Sequence, residues 1–224
     1  MRISTLIALI ALTTTPAFAG PSVDRDMVEQ LPAEVSAQAD TLRAQIEQLE
    51  AAHETKSAAA ERESDNAKAL KFEVKAAKAQ VKADKADLKA ARKRDDSSAA
   101  SAAREAVEAS EAALEALERR LDISDALASL LDAQADLIEA QLKLKKAELQ
   151  VVYATGVQTT QDDTFDDSKF RKARAKAEVK FQKARADVSQ AERQFTRAGG
   201  ETLPERMTIT GEVAPPMGGT PMPE

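Results

Sequence analysis

The fold is decided by residues 68–98, which read KALKFEVKAAKAQVKADKADLKAARKRDDSS. Apolar residues recur there at spacings of three and four, as in the seam of a coiled coil, and the stretch contains neither glycine nor proline. It ends at Asp95-Asp96-Ser97-Ser98, residue types that are unfavourable inside helices and favourable at turns and helix starts. The stretch therefore predicts a long helix that stops at about residue 95.

The same helical pattern extends in both directions. Residues 33–155 contain neither glycine nor proline, and alanine, the strongest helix former, occurs 46 times in the 224 residues. A second seam of leucines begins at Leu114 and gains an adjacent apolar row from Leu127 onward. We therefore predict an all-α protein with helices over about 33–95, 98–155 and 168–198, and with Gly156 as the C-cap of the second helix.

The two ends of the chain have different compositions. Arg2, the apolar stretch from Ile3 to Leu12 and Ala17-Phe18-Ala19 have the pattern of a secretory signal peptide over 1–19, with cleavage after Ala19. This places the mature chain in the periplasm, and no later segment is apolar enough for a transmembrane helix. We interpret 20–32 as an N-terminal arm and the proline-, glycine- and methionine-containing segment 199–224 as a disordered tail.

The composition excludes most kinds of catalytic and metal-binding site. The chain has no cysteine, one histidine and a formal net charge of −6, so histidine clusters, thiol chemistry and a global basic field for nucleic acid are absent. His53 falls on the seam, and the acidic loop residues at 162–167 lack the glycine and glutamate of a calcium loop. We expect no enzyme, and no catalytic, cofactor-binding or metal site.

Charge is segregated into two helical stripes. Residues 68–94 carry ten basic and three acidic side chains, whereas residues 100–125 carry seven acidic and three basic ones. The lysines of the basic stripe are spaced alternately by four and three: Lys71, Lys75, Lys78, Lys82, Lys85 and Lys89. The acidic stripe has the same spacing: Glu108, Glu111, Glu115, Glu118, Asp122 and Asp125. Both stripes are predicted to be interaction surfaces.

Two arrangements of these stripes are open. If the chain reverses at Asp95–Ser98, the stripes lie side by side in a long antiparallel coiled-coil hairpin, with the third helix packed at its base as an elongated three-helix bundle. If residues 33–155 form one continuous helix, both stripes need partners in other chains. We favour the hairpin, since it pairs opposite charges within one molecule.

The third helix carries one apolar stripe that includes Phe170, Phe181 and Phe195. We expect the three rings to dock on the second apolar row of the second helix. The helix also carries ten basic and three acidic residues, so a second interpretation is that it binds an anionic membrane surface.

One stretch resembles a known family. Residues 130–140 read LLDAQADLIEA and are followed by Leu142, Ala147, Tyr153 and Gly156. This pattern resembles the helical repeat of TolC-type outer-membrane efflux proteins over about 27 residues, in a single copy. In that family such helices from three subunits form a periplasmic tunnel. The resemblance therefore implies a periplasmic helix of this kind.

These observations predict a non-enzymatic periplasmic coiled-coil protein with a structural or interaction role in the bacterial envelope. Its partner would be a second copy, as a dimer or a trimer, or another helical envelope protein. The alternatives are the membrane-surface protein and the TolC-type efflux-related protein.

Overall fold

A computed structural model describes residues 21–161 and 164–201. These residues form four α-helices and no strand: α1 Arg25–Glu29, α2 Ala33–Lys93, α3 Ser97–Thr160 and α4 Ser168–Arg197. The all-α class is confirmed. The signal peptide predicted at 1–19 and residues 202–224 of the predicted tail lie outside the described residues.

The predicted break is a tight turn between α2 and α3. Asp95 has a left-handed backbone (φ 54°), and its N–H donates to Arg92 O while that of Asp96 donates to Ala91 O, which caps α2. Asp96 then starts α3, because its Oδ1 accepts from the Ala99 N–H at 3.0 Å. The four polar residues therefore end one helix and begin the next.

The described chain divides into two compact units. The first contains the described residues up to Gln48 together with Gln141–Lys180, and the second contains Leu49–Ala140 together with the described residues from Phe181 onward. The long helices contribute residues to both units, and each unit has its own apolar core.

The core of the first unit joins the N-terminal arm to the end of α3. Leu31, Ala39, Tyr153 and Val157 are its buried residues. The arm is held by hydrogen bonds, since the Val23 N–H donates to Gln150 Oε1 and Gln161 Nε2 donates to Met27 O, both at 3.0 Å. The described residues 21–32 of the predicted arm thus contain the short helix α1 and reach α2 at Pro32.

The core of the second unit lies between α3 and α4. Leu130 of α3 packs with Val188, Ala191 and Phe195 of α4, and partly buried Leu127 and other apolar residues of α3 surround them. In the part of this unit that holds residues 60–91 and 107–128, α2 and α3 face each other through small and branched side chains. The buried residues of α2 are Ala60, Ala67, Leu70, Val74, Val81 and Ala91, and those of α3 include Val107 and Ala128.

The prediction that α3 ends at Gly156 is wrong, because the helix continues to Thr160. Gly156 is buried against the first unit's core, and a Cβ on this residue would lie 2.9 Å from Leu31 Cδ2 and from Val35 Cγ1. The glycine is therefore needed for close packing of the arm and not for a helix end. The other observed ends differ from the predicted ones by one or two residues.

Capping residues define the start and the end of α4. Asp166 Oδ1 accepts from the Ser168 N–H at 2.9 Å, and this hydrogen bond lowers the pKa of the Asp166 carboxyl. At the other end Gly199 has φ 90°, and the Gly200 N–H donates to Phe195 O at 3.0 Å. Residues 199–200, predicted as the start of the tail, thus form the C-terminal cap of α4.

Candidate interaction surface

The structure divides the predicted lysine stripe into two rows with a spacing of seven residues each. The inner row lies beside the apolar seam and makes ion pairs with α3. These pairs are Lys71–Asp125 (3.0 Å), Lys78–Glu118 (3.0 Å) and Lys85–Glu111 (2.7 Å). Each step of seven residues forward along α2 is matched by seven residues backward along α3, so the two helices are antiparallel here.

The inner ion pairs favour the local register of α2 against α3 more than they stabilise the helix pair. All six side chains remain about half exposed. Exposed pairs of this kind contribute roughly 0.2–1 kcal/mol each. They nevertheless disfavour small shifts in register, since a shift of three or four residues along either helix would move each lysine away from its carboxylate.

The outer rows lie on the exposed sides of the same helices. They consist of Lys75, Lys82 and Lys89 on α2 and of Glu108, Glu115 and Asp122 on α3, all exposed. Among the described residues, none of these six side chains has an ion pair to another helix. Lys75 lies over the Phe72 ring at 5.4 Å, and Glu115 pairs with Arg119 of its own helix at 3.5 Å. The outer rows therefore present exposed charge that has no ion pair with another described helix.

Phe72 marks the outer face of α2. Its side chain is 68% exposed, although phenylalanine is among the residues most often buried. The alanines that follow at spacings of four and three, Ala76, Ala79, Ala83 and Ala86, are also exposed. A single exposed phenylalanine is common, but this one lies next to an unpaired row of charges.

A polar layer interrupts the seam between α2 and α3. Lys56 Nζ donates to Gln134 Oε1 at 2.9 Å, and burial lowers the pKa of Lys56. Two helical turns further along α2, the Glu63 carboxylate accepts two hydrogen bonds. Ser124 Oγ of α3 donates to Glu63 Oε1, and Asn66 Nδ2 donates to the same carboxylate at 3.1 Å. Lys56 and Glu63 of α2 both have hydrogen-bond partners on α3, Gln134 and Ser124.

The three phenylalanines of α4 differ in their surroundings. Phe170 is completely buried and stacks on Phe165 with ring centroids 6.0 Å apart, and Phe195 is buried in the core of the second unit. Phe181 is only half buried, and the Arg185 guanidinium lies 6.0 Å from its ring centroid. Two of the three predicted contact rings are thus core residues.

A shallow groove crosses the first unit. It has a volume of about 420 Å³, with Leu42, Val151 and Val152 among the apolar residues that line it. At its rim Glu148 accepts from Lys145 Nζ at 3.0 Å and lies 3.7 Å from Arg174 of α4. The single carboxylate of Glu148 interacts with both cations, which leaves the rim with a net charge of +1.

The described residues contain no group of three potential metal ligands from histidine, cysteine, aspartate and glutamate. Asp166 and Asp167 of the predicted acidic loop are engaged locally, the first in capping α4 and the second in an ion pair with Arg171. Asp162 and Asp163 lie outside the described residues.

No family model, no curated protein and no solved structure matches the chain. Within the described residues, no helix is both long enough and apolar enough to cross a membrane.

Both charged stripes were predicted from the sequence, but the division of each stripe into an inner and an outer row was not. A stripe with alternating spacings of four and three consists of two rows with a period of seven, and only the row nearer the seam reaches the partner helix. The position of each lysine around the helix, relative to the seam residues, distinguishes the two rows in the sequence. Lys78 lies four residues after buried Val74 and three before buried Val81, whereas Lys75 and Lys82 lie further round the helix.

Proposed function

We propose that this chain is a non-enzymatic periplasmic coiled-coil protein with a structural or interaction role in the bacterial envelope. The observation that carries the proposal is the pair of exposed outer rows, which present a regular basic and a regular acidic surface without a partner on another described helix. Surfaces of this kind select partners by charge complementarity.

The coiled-coil hairpin is part of the proposal. It is supported by three ion pairs at seven-residue intervals, by the capped turn at Asp95–Asp96 and by the buried seam residues of both helices. The polar layer at Lys56 and Glu63 supports a defined register, because a shift would leave buried polar groups without partners. Disorder of the tail stays a prediction.

The periplasmic location rests on the signal-peptide pattern of residues 1–19. We expect the mature protein to begin at Gly20 and to occur in the periplasmic fraction of the cells that produce it. Mass spectrometry of the N-terminal peptide measures this directly. A protein that retains Met1 or its first residues in the cytoplasmic fraction would remove the envelope from the proposal.

The interaction role is tested by photo-crosslinking in living cells. A benzoyl-phenylalanine at Ala79, on the outer face of α2, should form covalent adducts with a helical protein that mass spectrometry identifies as a second copy or as another envelope protein. The same group at Ala186, an exposed alanine on α4, serves as the matched control. Adducts that are equally weak and equally unspecific at both positions would argue against an interaction role for this surface.

The membrane-surface alternative depends on the phenylalanines of α4. The burial of Phe170 and Phe195 favours a role of these rings in the protein core over contact with lipid. Liposome flotation tests this alternative. The TolC-type alternative stays a prediction, and several residues of its resembling stretch, including Leu130 and Ile138, are buried within this chain.

A further inference from the structure

We propose that the partner of the outer rows is a second copy of this chain, with the outer lysine row of one copy lying antiparallel along the outer acidic row of the other. This inference rests on the proposed function, since it names the partner of that surface. It predicts contacts of Lys75 with Asp122, of Lys82 with Glu115 and of Lys89 with Glu108 of the other copy.

The inner rows provide the template. Within one chain, lysines seven residues apart on α2 pair with carboxylates seven residues apart on α3 in the antiparallel direction. The outer rows have the same residue types, the same spacing and the same direction on the same helices. One register therefore satisfies all three outer pairs at once, as it does for the inner ones.

The faces beside the outer rows permit close approach of two helices. On α2, Ala79 follows Lys75 by four residues and precedes Lys82 by three. Ala86 has the same position between Lys82 and Lys89. On α3, Ala112 lies in the same way between Glu108 and Glu115, and it is exposed. Small side chains at these positions leave room for the charged side chains to meet, and Phe72 would lose its exposed area in the contact.

Charge decides which faces of two copies can meet. A lysine row against another lysine row is repulsive, so two copies cannot associate through identical faces. The contact joins two different faces, and each copy in a pair keeps one of them unused. Association should therefore depend on protein concentration and continue beyond two copies or close into a ring.

The test is a charge exchange. One variant carries Lys75→Glu, Lys82→Glu and Lys89→Glu, and the other carries Glu108→Lys, Glu115→Lys and Asp122→Lys. In sedimentation velocity at about 20 mM salt, the full-length mature protein should associate and each variant alone should be monomeric. An equimolar mixture of the two variants should associate again, because each face meets an opposite charge.

The matched control carries Lys172→Glu, Lys176→Glu and Lys180→Glu, which change the same number of exposed charges on α4. It should associate like the unmodified protein. A second measurement needs no charge change: when chains with Lys82→Cys are mixed with chains with Glu115→Cys, a short bifunctional thiol reagent should give a mixed covalent dimer.

An unmodified protein that is monomeric at all concentrations, a variant mixture that stays monomeric, or the absence of the mixed dimer would each overturn the proposal. Failure of this proposal is distinct from failure of the proposed function. If the purified chain is monomeric but photo-crosslinking at Ala79 captures a different envelope protein, the interaction role stands and the second copy is excluded as its partner.

Discussion

At the scale of single residues, the two adjacent aspartates of the turn should respond to substitution with opposite signs. Asp95 adopts φ 54°, which costs a residue with a Cβ more than it costs glycine. We expect Asp95→Gly to raise the free energy of unfolding by about 0.5–1 kcal/mol. Asp96→Ala removes the acceptor of the Ala99 N–H and should lower it by about 1 kcal/mol. Thermal unfolding followed by circular dichroism measures both changes, and a loss of stability in Asp95→Gly would contradict the observed turn.

Tyr153 is a second residue with a defined expectation. Its ring is buried in the core of the first unit beneath the Arg43 guanidinium, and its hydroxyl has no hydrogen-bond partner among the residues that the structure describes. A buried hydroxyl without a partner costs roughly 1–3 kcal/mol. Tyr153→Phe should therefore leave the free energy of unfolding unchanged or raise it by about 1 kcal/mol. Tyr153→Ala, which empties the site, should lower it by about 3–5 kcal/mol. A large loss in Tyr153→Phe would mean that the hydroxyl is bound.

At the scale of helix pairs, the polar layer is expected to specify how α2 and α3 pair. Lys56→Met removes the donor of the buried Gln134 amide oxygen and should lower the free energy of unfolding by about 1–2 kcal/mol. Adding Gln134→Leu should recover most of this loss, because the unpaired polar group is then gone. Chemical denaturation of the three variants gives the comparison. Additive losses in the double variant would show that the two side chains do not interact.

The helices themselves could be predicted because the sequence has strong local signals. The glycine- and proline-free run, Asp95–Ser98 and Gly199-Gly200 locate most helix ends to within one or two residues. Gly156 could not be assigned in this way, since its role depends on Leu31 and Val35, which are more than a hundred residues distant in sequence. Likewise the stripes follow from periodicity, but the choice of which row pairs depends on how each helix is rotated toward its neighbour. Local sequence therefore predicts elements, and long-range packing determines which side chains meet.

At the scale of the whole chain, a net charge of −6 conceals segments of opposite sign, and salt should act on them differently. The inner ion pairs are half exposed and add to an apolar seam, so about 0.5 M salt should lower the free energy of unfolding by no more than about 1 kcal/mol. Self-association through the outer rows depends mainly on charge and should be lost under the same conditions. Parallel measurements of unfolding and of sedimentation across salt concentrations separate the two effects. Unfolding that is as sensitive to salt as association is would show that the seam contributes little.

The central claim is that the basic and acidic stripes meet within one chain, and one crosslinking measurement tests it most directly. Lys85→Cys and Glu111→Cys replace a pair whose charged atoms lie 2.7 Å apart, in a protein without native cysteine. A short bifunctional thiol reagent at low protein concentration should join the two cysteines inside one molecule, so that the product keeps the mass of a monomer. The control pair, Lys85→Cys with Asp125→Cys, is displaced by fourteen residues, or about 21 Å along a helix, and should not react within the chain. Products that form only between chains, or equal reaction of both pairs, would contradict the hairpin.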